Sequence, residues 1–189
     1  MARLPYLTLE DAPPTVAGPL GKLPPLHVFQ LVAHAESAFV PWLKLGGAIL
    51  ADLALDPALR ELAILQVGRL AARYEWDQHV PIALNVGVTQ DEIDALDSGR
   101  VEAFTPERQT VLKYVQAFVS GAVDDGLHTA VAHHLSDREI VELCIVAGHY
   151  LGLARAMSAL RIDPDPAAGP ETLRRLSALR TDPETVENR

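Results

Sequence analysis

The chain has 189 residues, of which 49% are hydrophobic and 22% are charged, a composition typical of one ordinary globular domain rather than a disordered chain. Its formal net charge is −9, and no cluster of Lys and Arg stands out. Nucleic acid is therefore not expected as a partner, because phosphate binding requires a basic surface.

The apolar stretches of the sequence are too short or too interrupted to predict a membrane partner. The two longest, LGGAILADLAL and CIVAGHYLGLA, contain Asp52 and His149 and fall below the roughly 20 residues of a membrane span. The N-terminus lacks the apolar core of a signal peptide. The single cysteine, Cys144, lies in an apolar run and is expected to be a buried small hydrophobe, so no disulfide framework is possible. We expect a cytoplasmic protein.

The domain organisation follows from proline content and helical periodicity. Residues 1–25 are rich in Pro and Gly and are predicted to form an N-terminal arm. Residues 26–162 show apolar side chains at helical spacing in one segment after another, with no sustained strand alternation. Residues 163–189 are predicted to form a C-terminal extension with one short helix, ETLRRLSAL. The predicted fold class is all-α.

Several sequence signals mark the ends of the predicted helices. Asp56-Pro57 and Thr105-Pro106 each combine an N-cap residue with a proline in the first turn. Two further pairs match the capping-box pattern, and two glycines match helix C-terminal stops. These four signals are Thr89 with Glu92, Ser136 with Glu139, Gly87, and Gly121.

The stretch RYEWDQHV, residues 73–80, places polar side chains between two strongly apolar segments. If this stretch is helical, Glu75 and His79 lie on the same face as Ile82 and Val86. Residues four apart on a helix are neighbours, so Glu75 and His79 can touch or share a ligand. The face expected to be buried therefore carries a carboxylate and an imidazole.

The preceding predicted helix, PALRELAILQVGRLAA, is apolar nearly all round, and Glu61 lies on one of its apolar stripes. Buried charges cost several kcal/mol unless they are paired or neutralised. Glu61, Glu75 and His79 therefore form either a satisfied structural network or a functional site, and the spacing alone leaves both interpretations open. A metal is not expected, because helical carboxylate sites for metals typically use Glu-x-x-His rather than Glu-x-x-x-His.

The sequence RELAILQVGRLAARYEWDQHVPIALNVGVTQDEIDAL resembles the core signature of the carboxymuconolactone decarboxylase family, which shares its fold with alkylhydroperoxidase D, AhpD. Flanking segments extend the resemblance over roughly residues 26–162. It implies an AhpD-like domain of about six to eight helices that assembles into a homotrimer or homohexamer.

The resemblance also implies a location for the active site. In the peroxidase branch the site reads Glu followed by Cys-x-x-Cys-x-x-x-His. Matching His79 to that His places Glu75 at the second Cys, Ala72 at the first and Glu61 at the upstream Glu. The chain thus resembles a Tyr-Glu-Trp-x-x-His branch without the CxxC motif, and Glu61 and His79 are one residue closer than in the peroxidase pattern.

By this resemblance we expect a cofactor-independent carboxy-lyase acting on a small carboxylated lactone or unsaturated acid. Acid–base chemistry is sufficient if the protein donates a proton and stabilises the developing oxyanion. His79 is the expected general acid, with Glu75 orienting it or sharing the proton. Glu61 would tune the protonation of this pair from the neighbouring helix.

Three further residues, Tyr74, Trp76 and His149, are expected to shape the substrate pocket. Two alternative functions remain at this point. Alkylhydroperoxidase or peroxiredoxin activity requires a nucleophilic thiolate and a resolving thiol, whereas Cys144 is the only cysteine. A non-catalytic binding or assembly protein of the same fold would use the polar cluster only as structure.

Overall fold

The computed structural model describes residues 1–165, which form nine α-helices and one 3-10 helix and contain no strand. The predicted all-α class is confirmed, and eight of the α-helices fall within residues 26–162. In chain order the elements are α1 Pro14–Lys22, α2 His27–Val32, α3 Glu36–Ala51, α4 Pro57–Ala71, α5 Arg73–Asn85, α6 Gln90–Asp97, the 3-10 helix Val101–Ala103, α7 Pro106–Ser120, α8 Asp125–Ala132 and α9 Asp137–Leu160. The short helix predicted at ETLRRLSAL lies outside the described residues.

The chain divides into two compact units. Among the described residues, the N-terminal unit consists of Met1–Asp52 together with residues 160–165, and the central unit consists of Leu53–Ala159. In the N-terminal unit, the segment predicted as an arm contains α1, which begins at Pro14 and packs its apolar face into a small core. The buried members of that core are Val16, Leu20, Leu23, Ala33 and Phe39.

Helix α4 is the centre of the central unit. Every residue from Ala58 to Gly68 is buried, as expected for a helix that is apolar nearly all round. It packs against α5 and α7, and Gln66 fastens it to α7 by donating from Nε2 to the Leu112 carbonyl oxygen at 3.2 Å. The second amide atom, Oε1 of Gln66, accepts from Nε of Arg69 at 3.0 Å, so the buried amide is satisfied on both sides.

The predicted helix ends are confirmed in the central unit. The Asp56 side chain accepts from the backbone nitrogens of Ala58 and Leu59, which caps α4. Thr89 and Glu92 form a reciprocal capping box, and Ser136 and Glu139 make the same pair of bonds. Thr105 caps α7, while Gly87 and Gly121 adopt positive φ angles of 96° and 69° after α5 and α7.

Helix α9 is the one helix of residues 1–165 that is long and apolar enough to cross a membrane by length and composition. Its most apolar window has a mean hydropathy of 1.4, and 44% of that window is buried inside the protein. A core helix of a soluble protein meets the same criteria, so this property by itself is a weak indication of a membrane span.

The close approach of α4 and α5 depends on Gly68. A Cβ atom at this position would lie 2.8 Å from the backbone nitrogen of Trp76 and 3.1 Å from its Cα. The first contact requires a shift and the second is unusually tight, and both obstructing atoms belong to the backbone of α5. A glycine at position 68 therefore fixes the distance at which α5 presents its side chains to α4.

We expect Gly68→Ala to lower the free energy of unfolding by about 1–3 kcal/mol, the usual cost of overpacking. Gly47→Ala is the matched control, because a Cβ there meets nothing within 4 Å and alanine favours the helix. Urea denaturation measures both variants. If Gly68→Ala is as stable as Gly47→Ala, the two helices are not held at this distance by close backbone contact.

Candidate active site

Glu61, Glu75 and His79, the three residues predicted to converge, are all buried in the central unit. Glu61 lies on α4 and is fully buried, while Glu75 and His79 lie one turn apart on α5 and are 2% and 6% exposed. The helical spacing inferred from the sequence therefore places both carboxylates and the imidazole inside the protein.

The Glu61 carboxylate fixes the orientation of His79. Its Oε2 lies 2.8 Å from Nδ1 of His79, and its Oε1 accepts from Nε of Arg60 at 2.9 Å. Both carboxylate oxygens are thus engaged, one by a guanidinium and one by an imidazole. Because Nδ1 is bonded to Glu61, Nε2 is the ring nitrogen of His79 that remains for proton transfer.

Glu75 has a different environment. Its Oε1 is buried and has no hydrogen-bond partner among residues 1–165. Burial raises the pKa of Glu75 to about 7, although the neighbouring His79 opposes this effect. A carboxyl group in this state exchanges its proton near neutral pH, whereas an ordinary surface glutamate is fully ionised there. Glu61, rather than Glu75, makes the orienting bond to Nδ1 of His79.

Helix α9 contributes two aromatic rings to the site. The Tyr150 ring stands edge-on to His79, with centroids 4.9 Å apart, and edge-on to His149, with centroids 5.2 Å apart. Burial raises the pKa of Tyr150 well above its usual range, and the charges of Glu61 and Glu75 raise it further. His149 is half-buried, and burial together with His79 lowers its pKa.

Tyr150 was missed by the sequence analysis. The residue follows His149 in the apolar run CIVAGHYLGLA, where a tyrosine is typical of an ordinary core position. No spacing pattern within α9 relates it to Glu61 or His79, since the contact is between helices. The only signal was its position directly after a histidine already under consideration.

The two aromatic residues predicted from α5 lie in other surroundings. Trp76 is buried in the hydrophobic core with Leu62 and Leu65, and the Arg73 guanidinium carbon lies 4.8 Å from its ring centroid. Tyr74 is half-buried in the first turn of α5. Their roles in shaping a pocket stay a prediction.

Two other polar groups of α9 have structural contacts. Glu142 accepts from the backbone nitrogen of Leu55 and from Nε of Arg138, both at 2.8 Å. The Cys144 sulfur lies 3.7 Å from the hydroxyl oxygen of Tyr114 and is half-buried. Within residues 1–165, no group of three or more His, Cys, Asp and Glu side chains is placed to hold a metal ion.

Comparison with known families now supports the resemblance. The family model of the carboxymuconolactone decarboxylase family matches residues 38–117. The matched region is 80 of the chain's 189 residues. It contains the Glu61–Glu75–His79 cluster and ends before α9, so the family match covers two of the three helices that form the site. No curated protein sequence matches the chain.

Solved structures show the same fold. An uncharacterised peroxidase-related protein with an AhpD core from Ralstonia eutropha is 16% identical, with a TM-score of 0.75 over 87% of this chain and 92% of its own. A protein of unknown function from Agrobacterium tumefaciens is 20% identical, with a TM-score of 0.65 over 71% of this chain and 95% of its own. A Cys-to-Ala variant of the debrominase Bmp8, in complex with 2,3,4-tribromopyrrole, is 18% identical, with a TM-score of 0.71 over 93% and 100%. At these identities the likeness confirms the AhpD-like fold alone.

The buried state of Glu75 predicts how stability depends on pH. Its pKa is raised from 4.5 to about 7 in the folded protein, so its favourable contribution is complete below pH 4.5 and is lost as the pH rises through 7. We expect the parent to lose about 3 kcal/mol of unfolding free energy relative to Glu75→Gln between pH 4 and pH 8. Urea denaturation of both proteins at several pH values measures the difference.

The control for this experiment is Asp77→Asn, which neutralises an exposed carboxylate on the same helix. Its stability should follow the pH dependence of the parent closely. If the curves of the parent and Glu75→Gln run parallel from pH 4 to pH 8, Glu75 is not held in a desolvated state.

Proposed function

We propose that the protein is a cofactor-independent enzyme that decarboxylates a small carboxylated lactone or a related unsaturated acid. One observation carries this proposal. Oε1 of Glu75 is buried without a hydrogen-bond partner, and the neighbouring His79 is oriented by the hydrogen bond between its Nδ1 and Glu61. A purely structural network is expected to satisfy its buried oxygens, because an unpaired buried acceptor costs about 1–3 kcal/mol. A buried carboxyl group that lacks a hydrogen-bond partner and has a pKa near 7 is instead typical of a proton-transfer site.

In the proposed reaction, His79, Glu61 and Glu75 each have a separate role. Loss of CO₂ breaks the bond between the carboxylate and a ring carbon and leaves the electron pair delocalised as a dienolate. His79 then transfers its Nε2 proton to carbon, which completes the product. Glu61, whose other oxygen is bonded to Arg60, keeps the imidazole in the correct orientation. Glu75 returns a proton to His79 and regains one from solvent, so that one proton is consumed for each CO₂ released.

A small ring substrate is consistent with the fold relatives. The debrominase variant of this fold is complexed with 2,3,4-tribromopyrrole, which is a small ring compound. Thiol peroxidase chemistry is the weaker candidate, because it requires a second thiol to resolve the oxidised cysteine and Cys144 is the only cysteine of the chain. The Cys144 sulfur contacts the hydroxyl oxygen of Tyr114.

Assembly into a homotrimer or homohexamer is part of the proposal. Val141 and Ile145 lie one turn apart on α9 and are 59% and 43% exposed, and Leu84 on α5 is 42% exposed. Exposed large apolar side chains of this kind are commonly covered by a second copy of the chain. We expect Ile145→Glu to shift the protein toward smaller species, while Val123→Glu, at an exposed apolar residue outside the helices, should not.

Light scattering coupled to size-exclusion chromatography at micromolar concentration measures the assembly. The parent is expected to elute as a trimer or hexamer. A monomeric parent contradicts the proposed assembly but leaves the chemistry at His79 unaffected.

The proposed function is tested by CO₂ release from unsaturated five-membered lactones that carry a carboxylate. We expect His79→Gln to lower turnover by about 10²–10⁴-fold, because glutamine fills the space but transfers no proton. His133→Gln, at an exposed histidine, is the matched control and should retain turnover. Cys144→Ser should also retain it, whereas loss of activity in a folded Cys144→Ser protein favours thiol chemistry. Full turnover in His79→Gln combined with lower stability identifies the cluster as structural.

A further inference from the structure

Tyr150 lies within the site, yet the proposed acid–base chemistry assigns it no role. Its side chain is 5% exposed, and its ring stands at 86° to that of His79 and at 83° to that of His149. Edge-to-face contacts with two neighbouring rings restrict the orientation of a phenol ring. Tyr150 is therefore a preorganised group next to the imidazole that transfers the proton.

The hydroxyl of Tyr150 is held in its neutral form. Burial raises its pKa, and the charges of Glu61 and Glu75 act in the same direction, while Arg60 opposes them. A phenol in this environment keeps its proton at any working pH and can serve as a hydrogen-bond donor. The site therefore contains an uncharged donor close to two carboxyl groups.

Such a donor can stabilise the negative charge that develops on the substrate in the proposed reaction. The departing CO₂ leaves negative charge on the lactone ring, in a site that already contains Glu61 and Glu75. Nε of Arg60 and Nδ1 of His79 each engage one oxygen of Glu61, and Nε2 of His79 supplies the proton that is transferred to carbon. A further donor is needed for the oxygen on which the new charge develops.

We infer that Tyr150 is a further catalytic residue, whose hydroxyl donates a hydrogen bond to the substrate oxygen that becomes negatively charged. This inference rests on the proposed function. The bond between the carboxylate carbon and the ring carbon breaks, and its electron pair is delocalised as a dienolate onto the lactone oxygen. The pair then forms the C–H bond with the proton from His79. Tyr150 keeps its own proton throughout and stabilises the intermediate charge.

Tyr150→Phe tests the inference, since it removes the hydroxyl and keeps the ring in contact with both histidines. Loss of one oxyanion donor is expected to lower kcat about 10²-fold with little change in KM, because the neutral carbonyl of the ground state is the weaker acceptor. Tyr114→Phe is the matched control, as Tyr114 is equally buried and contacts Cys144 instead. It should retain kcat.

A binding experiment gives a second readout that requires no turnover. The probe is tetronate, the anion of a five-membered lactone that carries a delocalised enolate. We expect calorimetric titration to show that Tyr150→Phe binds tetronate about 10–100-fold more weakly than the parent, the usual effect of losing a hydrogen bond to a charged acceptor, while Tyr114→Phe binds it equally well.

The outcomes separate this inference from the proposed function. If His79→Gln loses turnover while Tyr150→Phe keeps the kcat and the tetronate affinity of the parent, the role of Tyr150 is overturned and the proposed function stands. If His79→Gln keeps full turnover, the proposed function fails. A parent that does not bind tetronate, or a Tyr150→Phe protein whose only change is lower stability, also overturns the role of Tyr150.

Discussion

The central constraint in this protein is the burial of the Glu61 carboxylate in the middle of α4. A charge inside a helix that is covered on all sides is tolerated only if both oxygens are bonded. Arg60 engages one oxygen from the adjacent position, and His79 engages the other from α5. The requirement to satisfy Glu61 therefore fixes where α5 lies and which way its histidine faces.

Other features of α4 reinforce this arrangement. Gly68 allows the backbone of α5 to approach at Trp76, and Gln66 fastens α4 to α7 through the Leu112 carbonyl. Once α5 is held at this distance, Glu75 is carried inside together with His79, one turn away on the same face. The packing of the helices therefore buries a Glu75 oxygen without a hydrogen-bond partner, and this burial raises the pKa of Glu75. An acid–base site can use a carboxyl group whose pKa is raised in this way.

Much of the fold and part of the site could be predicted from the sequence, for reasons that are local. Capping residues such as Asp56 and Thr89 bond to residues at most three positions away, so the helix end that they cap can be recognised from a short stretch of sequence. The convergence of Glu61, Glu75 and His79 followed from helical periodicity and from the apolar character of both helices. Which carboxylate bonds Nδ1 was not predictable, because it depends on the rotation and separation of α4 and α5. Tyr150 was missed for the same reason, since its place beside His79 is set by contacts between helices.

The central claim is that Glu75 is a buried carboxyl group that exchanges its proton near neutral pH beside an oriented His79. Its most direct test is a titration of the Glu75 side-chain carboxyl by ¹³C NMR, with the resonance assigned by its loss in Glu75→Gln. The account predicts a midpoint at about pH 7. Because His79 lowers the pKa of Glu75, the midpoint is expected to rise in His79→Gln. A midpoint near the ordinary value of 4.5, unchanged in His79→Gln, would contradict the account.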